Sequence, residues 1–320
     1  MTDEQNHKPL SIVDFEGLLL YYNKDSDKSA EKVHPFFEDL AFNTVKNYKH
    51  SSKVLAESLR ECFPPTSDRR RQLTPADAQQ IVDNIVADRG PGSARVAVST
   101  VGSILSYMIL YRPVTTSVYN AFDHVKIPKG EMIDAWTDAQ IKQHTSTGSE
   151  FLVTLVTLLL ETGQRLSDIV DLRWPQIEYN LASKEWTKIY IVQKKTGTKV
   201  SIPVTKELNK ILRTLNVLIK HGQHAGKVLL PVWGLDRSIT EDAVRYRYKT
   251  ICDAFGIPPL QLHGLRKSAI IRMIDGGATL FEVMSVTGHK SVSSLRHYME
   301  GYDKVAAAER AFAKAGLLAG

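Results

Sequence analysis

His263-Gly264-Leu265-Arg266, then Gly288-His289, then Tyr298 nine residues beyond that histidine, set two histidines, an arginine and a tyrosine in order near the end of a 320-residue chain. Around them, Lys267 to Ile274, closed by Gly276-Gly277, and Leu280 to Val286, closed by Gly288, read as a helix pair that delivers Arg266 and then His289. Upstream, Ser238-Ile239-Thr240-Glu241 fits a capping box that opens a helix to about Phe255. That helix carries Arg245 and Lys249, four apart and on one face, with Arg247, Tyr246 and Tyr248 between them. Trp186 to Val192 and Lys199 to Val204 are β-rich runs around Lys194-Lys195-Thr196-Gly197-Thr198, a hairpin with glycine in its turn and Lys195 on its loop. Phe151 to Leu160 is an apolar run too short to cross a membrane, and Gly163 stops it as a buried helix. In Thr162-Gly163-Gln164-Arg165-Leu166-Ser167-Asp168, Ser167 can cap a helix from Asp168 to Leu172, which puts Arg165 at a helix-to-helix corner suited to an anion.

Taken singly, each residue has an ordinary reading. A Gly-His after a helix is a cap beside a surface histidine, a tyrosine among apolar neighbours is packing, and Arg165 could pair with Asp168 or Asp171. Six positions in order, each with matching flanks, carry more: they resemble the active-site signature of the tyrosine recombinases, the phage integrase family, over roughly residues 43 to 300. The resemblance implies a mainly α fold with a small antiparallel β-sheet. It implies a two-domain clamp in which an all-α core-binding domain joins a mixed α/β catalytic domain. It also implies one reaction, the breaking and resealing of a DNA phosphodiester through a covalent tyrosine link, with no metal or other cofactor.

The residue types suit that chemistry. Attack on a phosphodiester builds a second negative charge on oxygens that already share one, so catalysis is mostly positioning and neutralisation. Guanidinium is planar, permanently charged and able to grip two oxygens, which makes Arg165 and Arg266 the clamps. Tyr298 is the expected nucleophile; a free phenol costs roughly 4 kcal/mol to ionise at neutral pH, so a proton acceptor is needed. His263 is the preferred general base and His289 the phosphate partner, a division that the residue types leave open. Lys195 is assigned as the acid that protonates the departing 5′ oxygen, and only the Lys-Thr-Gly match prefers it to Lys194 or Lys199. In the family a 3′-phosphotyrosyl intermediate forms and a 5′-hydroxyl of the partner strand attacks it, by way of a Holliday junction. Tyr302 has the wrong spacing from Gly-His and is read as packing.

The net charge of +6 hides an asymmetry, because residues 1 to 40 hold four Lys and no Arg against nine acids, a net of −5. Phosphate binding is therefore expected from residue 41 onward. From Asn43 to Cys62, Lys46, Lys49, His50 and Lys53 share one helical face while Val45, Tyr48, Leu55 and Leu59 lie largely off it. Thr74-Pro75 starts a helix to about Asp88, Ser93 to Tyr111 gives another, and Ser117 to Val125 a short one. The expected division is an acidic segment of unnamed role over 1–40, a core-binding domain over 41–127, a linker over 128–134, a catalytic domain over 135–300 and a tail helix over 301–320. In the family such a tail docks into a neighbouring protomer; packing on its own domain is the equal alternative.

Two cysteines, Cys62 and Cys252, with no paired-ligand spacing fit a reduced cytoplasmic protein associated with the nucleoid, and no membrane span is expected. The resulting expectation is a site-specific recombinase, the integrase of a phage or other mobile element. Its expected partners are double-stranded DNA, three further copies of itself in a homo-tetramer on two sites and, where a site requires bending, accessory DNA-bending proteins. DNA contacts are expected from Lys46, Lys49, Lys53, Arg245 and Lys249. The rival readings are a type IB topoisomerase-like enzyme that relaxes DNA and a catalytically idle DNA-binding protein of the same fold.

Overall fold

A computed structural model describes residues 10–27, 34–111, 119–218, 226–229, 232, 239–298, 308–309, 311–313 and 315. Two compact units divide between Met132 and Ile133, inside the stretch read as the linker.

In the first unit, four helices bury one apolar face each: α1 (Ile12–Asp25), α2 (Pro35–Glu38), α3 (Phe42–Cys62) and α4 (Pro75–Tyr111). Phe15, Leu19 and Tyr22 of α1 share a core with Leu55 and Leu59 of α3 and Ile81, Ile85 and Ile104 of α4. The acidic N-terminal segment is thus not set apart from the bundle, because counting its charges registers the outer face and misses the inner one. Glu16 ties the two together: burial works against its carboxylate, but hydrogen bonds from Arg60 and Arg69 hold its pKa below the usual range. Lys46, His50 and Lys53 stay exposed along α3, while Lys49 is half-buried and pairs with Asp27 at 3.4 Å.

The run from Pro75 to Tyr111 is long and apolar enough to cross a membrane by length and composition. It breaks at Gly90, whose φ of 78° reverses the local backbone before Pro91, so the two helices expected from the sequence meet end to end. The short helix expected over Ser117 to Val125 is a turn where it is described, from 119 onward; Ser117 lies outside the described residues. Asn120 explains the difference: its side-chain oxygen accepts from Phe122 N at 3.1 Å and its amide donates to Asp123 at 2.6 Å, offering the backbone a local alternative to the helix.

The second unit wraps a three-stranded antiparallel sheet with helices. These are α5 (Asp138–Thr145), α6 (Glu150–Thr162), α7 (Leu166–Asp171), α8 (Lys206–Leu218), α9 (Glu241–Ala254), α10 (His263–Asp275) and α11 (Leu280–Thr287), followed by a 3-10 turn over Val292–Tyr298. Strands β1 (Ile177–Asn180), β2 (Glu185–Val192) and β3 (Lys199–Pro203) lie in the order β1-β2-β3. Ile189 pairs with Ile202 and Ile191 with Val200, which turns one face of the hairpin inward and leaves Tyr190 and Val192 outside. α6 is the central helix, with Leu152, Leu155, Val156 and Leu158 fully buried. The architecture is therefore mainly α with a small antiparallel sheet.

Three boundaries differ from the sequence reading. Thr240 caps α9 by accepting from Ala243 N, and Ser238 lies outside the described residues. α7 begins two residues earlier than Ser167 suggested, because the extended Arg165 carbonyl already accepts from Asp168 N and Ile169 N. α10 begins at His263, so His263 and Arg266 share its first turn. Of the tail read as a helix over Lys304 to Leu318, 308–309 and 311–313 are described as helical and 315 as a turn, and Tyr302 lies outside the described residues.

The start of α4 supplies a pH-dependent contribution. Asp77 accepts two hydrogen bonds from Arg71, at 2.5 and 2.7 Å, and two from Thr74, and chiefly the Arg71 guanidinium lowers its pKa to about 2. A carboxylate depressed on folding stabilises above its unfolded value and stops doing so as pH falls through the folded one, here on the order of 2 kcal/mol lost between about pH 4 and 2. Asp77→Asn should remove that acid dependence and weaken the first unit at neutral pH by about 1–2 kcal/mol, read by amide exchange in α3 and α4.

Candidate active site

Gly163 closes α6 in the left-handed conformation at φ 63°, and its carbonyl is then free to face inward. There it accepts from Arg266 Nη1 at 2.9 Å. Arg266 is the largest fully buried side chain described, at 1% exposure. Its second nitrogen donates to the Thr287 carbonyl at 2.8 Å and approaches His289 Nε2 at 3.3 Å. Burial, helped by the charge of Arg165, pushes the Arg266 pKa down to about 10, against which Tyr298 and Asp168 act. The group stays charged at neutral pH. Among the described residues no ion pair neutralises Arg165 or Arg266, so the pocket carries net positive charge.

His289 follows Gly288, the left-handed residue that ends α11. The Thr287 hydroxyl donates to Val283 O at 2.7 Å, which leaves it to accept from His289 Nδ1 at 2.7 Å. The neutral imidazole therefore carries its proton on Nδ1 and turns the Nε2 lone pair toward Arg266. Tyr298 packs its ring on Ile270, Ile274, Val283 and Leu295, with its centroid 6.1 Å from that of His289, and lies near enough to Arg266 to favour its charged form. One chain thus gathers Arg165, Arg266, His289 and Tyr298.

His263 is exposed at the start of α10, three residues before Arg266 within the same first turn. The glycine beside it is required by close approach: a Cβ on Gly264 would lie 2.5 Å from the Asp134 carbonyl and 2.6 Å from the Trp136 ring. Lys195 is exposed on the β2–β3 turn. Its neighbour Lys194 is occupied, pairing with Asp171 at 2.7 Å while Lys227 takes the other oxygen of that carboxylate at 2.7 Å. Lys199 is exposed at the first position of β3. On α9, Arg245 is exposed with Glu241 3.8 Å away, and Lys249 is exposed; Arg247 instead lies over the Phe151 ring.

Sequence reasoning missed the polar residues that hold these groups. Asp168 is buried, accepts from Lys194 N at 2.9 Å through one oxygen and has no partner on the other, so neither it nor Asp171 pairs with Arg165. Gln164 and Gln193 are buried and bonded to each other at 2.7 Å. The clue was available for Gln193, a polar residue at the inward-facing end of a strand whose alternate positions are apolar.

The phage integrase family model matches residues 137–304, a span that holds all six expected positions. The chain belongs to the phage integrase family. Among curated relatives, it is 26% identical over 177 residues to the tyrosine recombinase XerC of Bifidobacterium longum strain DJO10A, covering 51% of this chain and 47% of that protein. It is 23% identical over 148 residues to the shufflon-specific DNA recombinase of Escherichia coli, covering 46% and 34%. The chain spans about half the length, or less, of these relatives. Among solved structures, a lambda integrase dimer bound to a COC′ core site matches with TM-score 0.64 at 18% identity, covering 90% of this chain and 96% of that one. XerH bound to palindromic difH substrate matches with TM-score 0.63 at 13% identity, covering 96% and 99%. These likenesses establish the shared fold.

Gly288 offers a direct check on the pocket. A Cβ there would fall 2.5–2.6 Å from the Gln193 amide, in addition to the strain of φ 70°. Gly288→Ala should cost about 1–3 kcal/mol in chemical denaturation. Gly197→Ala, with φ 65° but open space around it, should cost about 1 kcal/mol; the difference reports the close approach to Gln193.

Proposed function

We propose that this protein is a site-specific DNA recombinase, the integrase of a phage or other mobile element, working by tyrosine-mediated strand transfer. The observation that carries the reading is a buried Arg266, with no ion-pair partner among the described residues, that touches His289 at 3.3 Å while the Tyr298 ring stands 6.1 Å from the His289 ring of the same chain. Arg165 and Arg266 hold the non-bridging oxygens of the scissile phosphate, where negative charge grows during attack. The Tyr298 oxygen attacks phosphorus and its proton passes to His263. The bond from phosphorus to the 5′ oxygen breaks, and that oxygen leaves as a hydroxyl with a proton from Lys195. A 5′-hydroxyl of the partner strand then attacks the 3′-phosphotyrosyl ester, releases Tyr298 and reseals the chain. Once protonated, His289 donates from Nε2 to the phosphate, since its Nδ1 proton is already committed to Thr287.

The exposed lysines of α3, Lys46 and Lys53 with the partly exposed Lys49, and Arg245 and Lys249 of α9 are proposed to contact the duplex. Lambda integrase has been solved as a dimer on a core site and as a tetramer on a Holliday junction. By that likeness, four copies of this chain are proposed to act on two sites, in the DNA-bearing compartment of the cell.

On a nicked suicide duplex the wild-type chain should accumulate a covalent complex mapped to Tyr298, and retain it in EDTA. Tyr298→Phe should abolish the complex while DNA binding persists; a complex that survives the substitution overturns the reading. Lys195→Ala should cut cleavage by roughly 10²- to 10⁴-fold and regain most of it on a substrate with sulfur in place of the 5′-bridging oxygen. Failure of sulfur to restore cleavage removes Lys195 as the acid.

A further inference from the structure

We infer that Gln193 is a positioning residue, which locks the Lys195 turn, the Arg165 guanidinium and the His289 segment into one arrangement through a fully used buried amide. The inference rests on the function proposed above and adds a member to its machinery.

Gln193 is the residue after β2, and it is 1% exposed. Its Oε1 accepts from Arg165 Nη1 at 3.1 Å and from the Thr196 hydroxyl at 2.8 Å. Its Nε2 donates to Gln164 Oε1 at 2.7 Å and to the Thr287 carbonyl at 2.7 Å. An amide offers two acceptor sites and two donors, so every one is spent. The orientation is also fixed, because a flipped amide would put N–H groups against the Arg165 guanidinium and an oxygen against the Thr287 carbonyl.

Each partner leads to a different part of the reaction. Thr196 adjoins Lys195, and the turn that carries both closes on the Gln193 backbone: its N–H donates to Thr198 O at 2.9 Å and its carbonyl accepts from Gly197 N at 2.8 Å. The Thr287 carbonyl also accepts from Arg266 at 2.8 Å. A chain of hydrogen bonds therefore runs from Arg165 through Gln193 and the Thr287 carbonyl to Arg266, spacing the two guanidinium groups. Two residues beyond Thr287 stands His289, reached through Gly288, the residue whose bare Cα leaves room for the Gln193 amide. Buried polar links of this kind hold geometry closely, since an unmade bond at any of them leaves a desolvated group unpaired.

The test pairs two variants with two readouts. Gln193→Met keeps volume and removes all four side-chain hydrogen bonds, whereas Thr196→Val removes only the link to the turn. The first readout is cleavage of matched suicide duplexes carrying oxygen or sulfur at the 5′ bridging position. Thr196→Val should slow the oxygen substrate roughly tenfold and leave the sulfur substrate near wild type. Gln193→Met should slow oxygen by roughly a hundredfold and recover only partly with sulfur, because Arg165 is released as well as Lys195. The second readout needs no activity: amide exchange should quicken in both 193–198 and 287–289 in Gln193→Met, and in 193–198 alone in Thr196→Val, with α3 unchanged. Equal losses on both substrates, or exchange confined to 193–198 in Gln193→Met, overturn the inference. If the wild-type chain forms no covalent complex while exchange in the two segments remains coupled, the proposed function falls and the positioning of the two segments by Gln193 stands.

Discussion

The second unit is organised by the burial of one cation. Arg266 sits at 1% exposure with two backbone carbonyls and an imidazole among its hydrogen-bond partners. Desolvating a guanidinium without a carboxylate partner is costly, and the pKa lowered to about 10 is the mark of that cost. What makes it tolerable is local geometry: Gly163 turns its carbonyl inward at the end of α6, and the end of α11 supplies the Thr287 carbonyl from the other side. Two left-handed glycines therefore do electrostatic work. They convert the C-terminal ends of two helices, where carbonyls are unpaired, into a cradle for positive charge.

The same cradle explains why the motif glycines sit beside motif charges. Gly288 ends α11 and leaves the space into which Gln193 reaches, while Gly264 lets the first turn of α10 press against the chain at Asp134 and Trp136. The Ser268 hydroxyl, which donates to the Trp136 carbonyl at 2.9 Å, fastens that contact one helical turn later. In both places a missing side chain is what allows an adjacent charged or imidazole group to be held at a fixed height.

Much of the architecture was legible because it depends on local rules. The apolar run at Phe151 to Leu160, the alternation of Ile189, Ile191, Val200 and Ile202, and the stop glycines at 163 and 288 each announce an element from a few residues. The candidate site was legible through the order of its charged residues and the flanks around them. What the sequence could not show is pairing at long separation. Asp171 lies six residues from Arg165 yet serves Lys194 and Lys227, and Gln164 meets Gln193 across 29 positions. Asn120 was a subtler case, where a side chain that imitates backbone won over helix periodicity. The acidic count over the first forty residues likewise gave no hint that Phe15, Leu19 and Tyr22 complete the core of the bundle.

The uncompensated charge around Arg165 and Arg266 has a consequence for the folded state itself. Among the described residues no ion pair neutralises either guanidinium and Asp168 offsets them only in part, so a small oxyanion that enters should stabilise the folded unit. Sulfate or inorganic phosphate should then raise the melting temperature in proportion to the logarithm of its concentration above the dissociation constant, as ligand linkage requires. The excess positive charge of the pocket is thus stability held in reserve, released when an anion settles there.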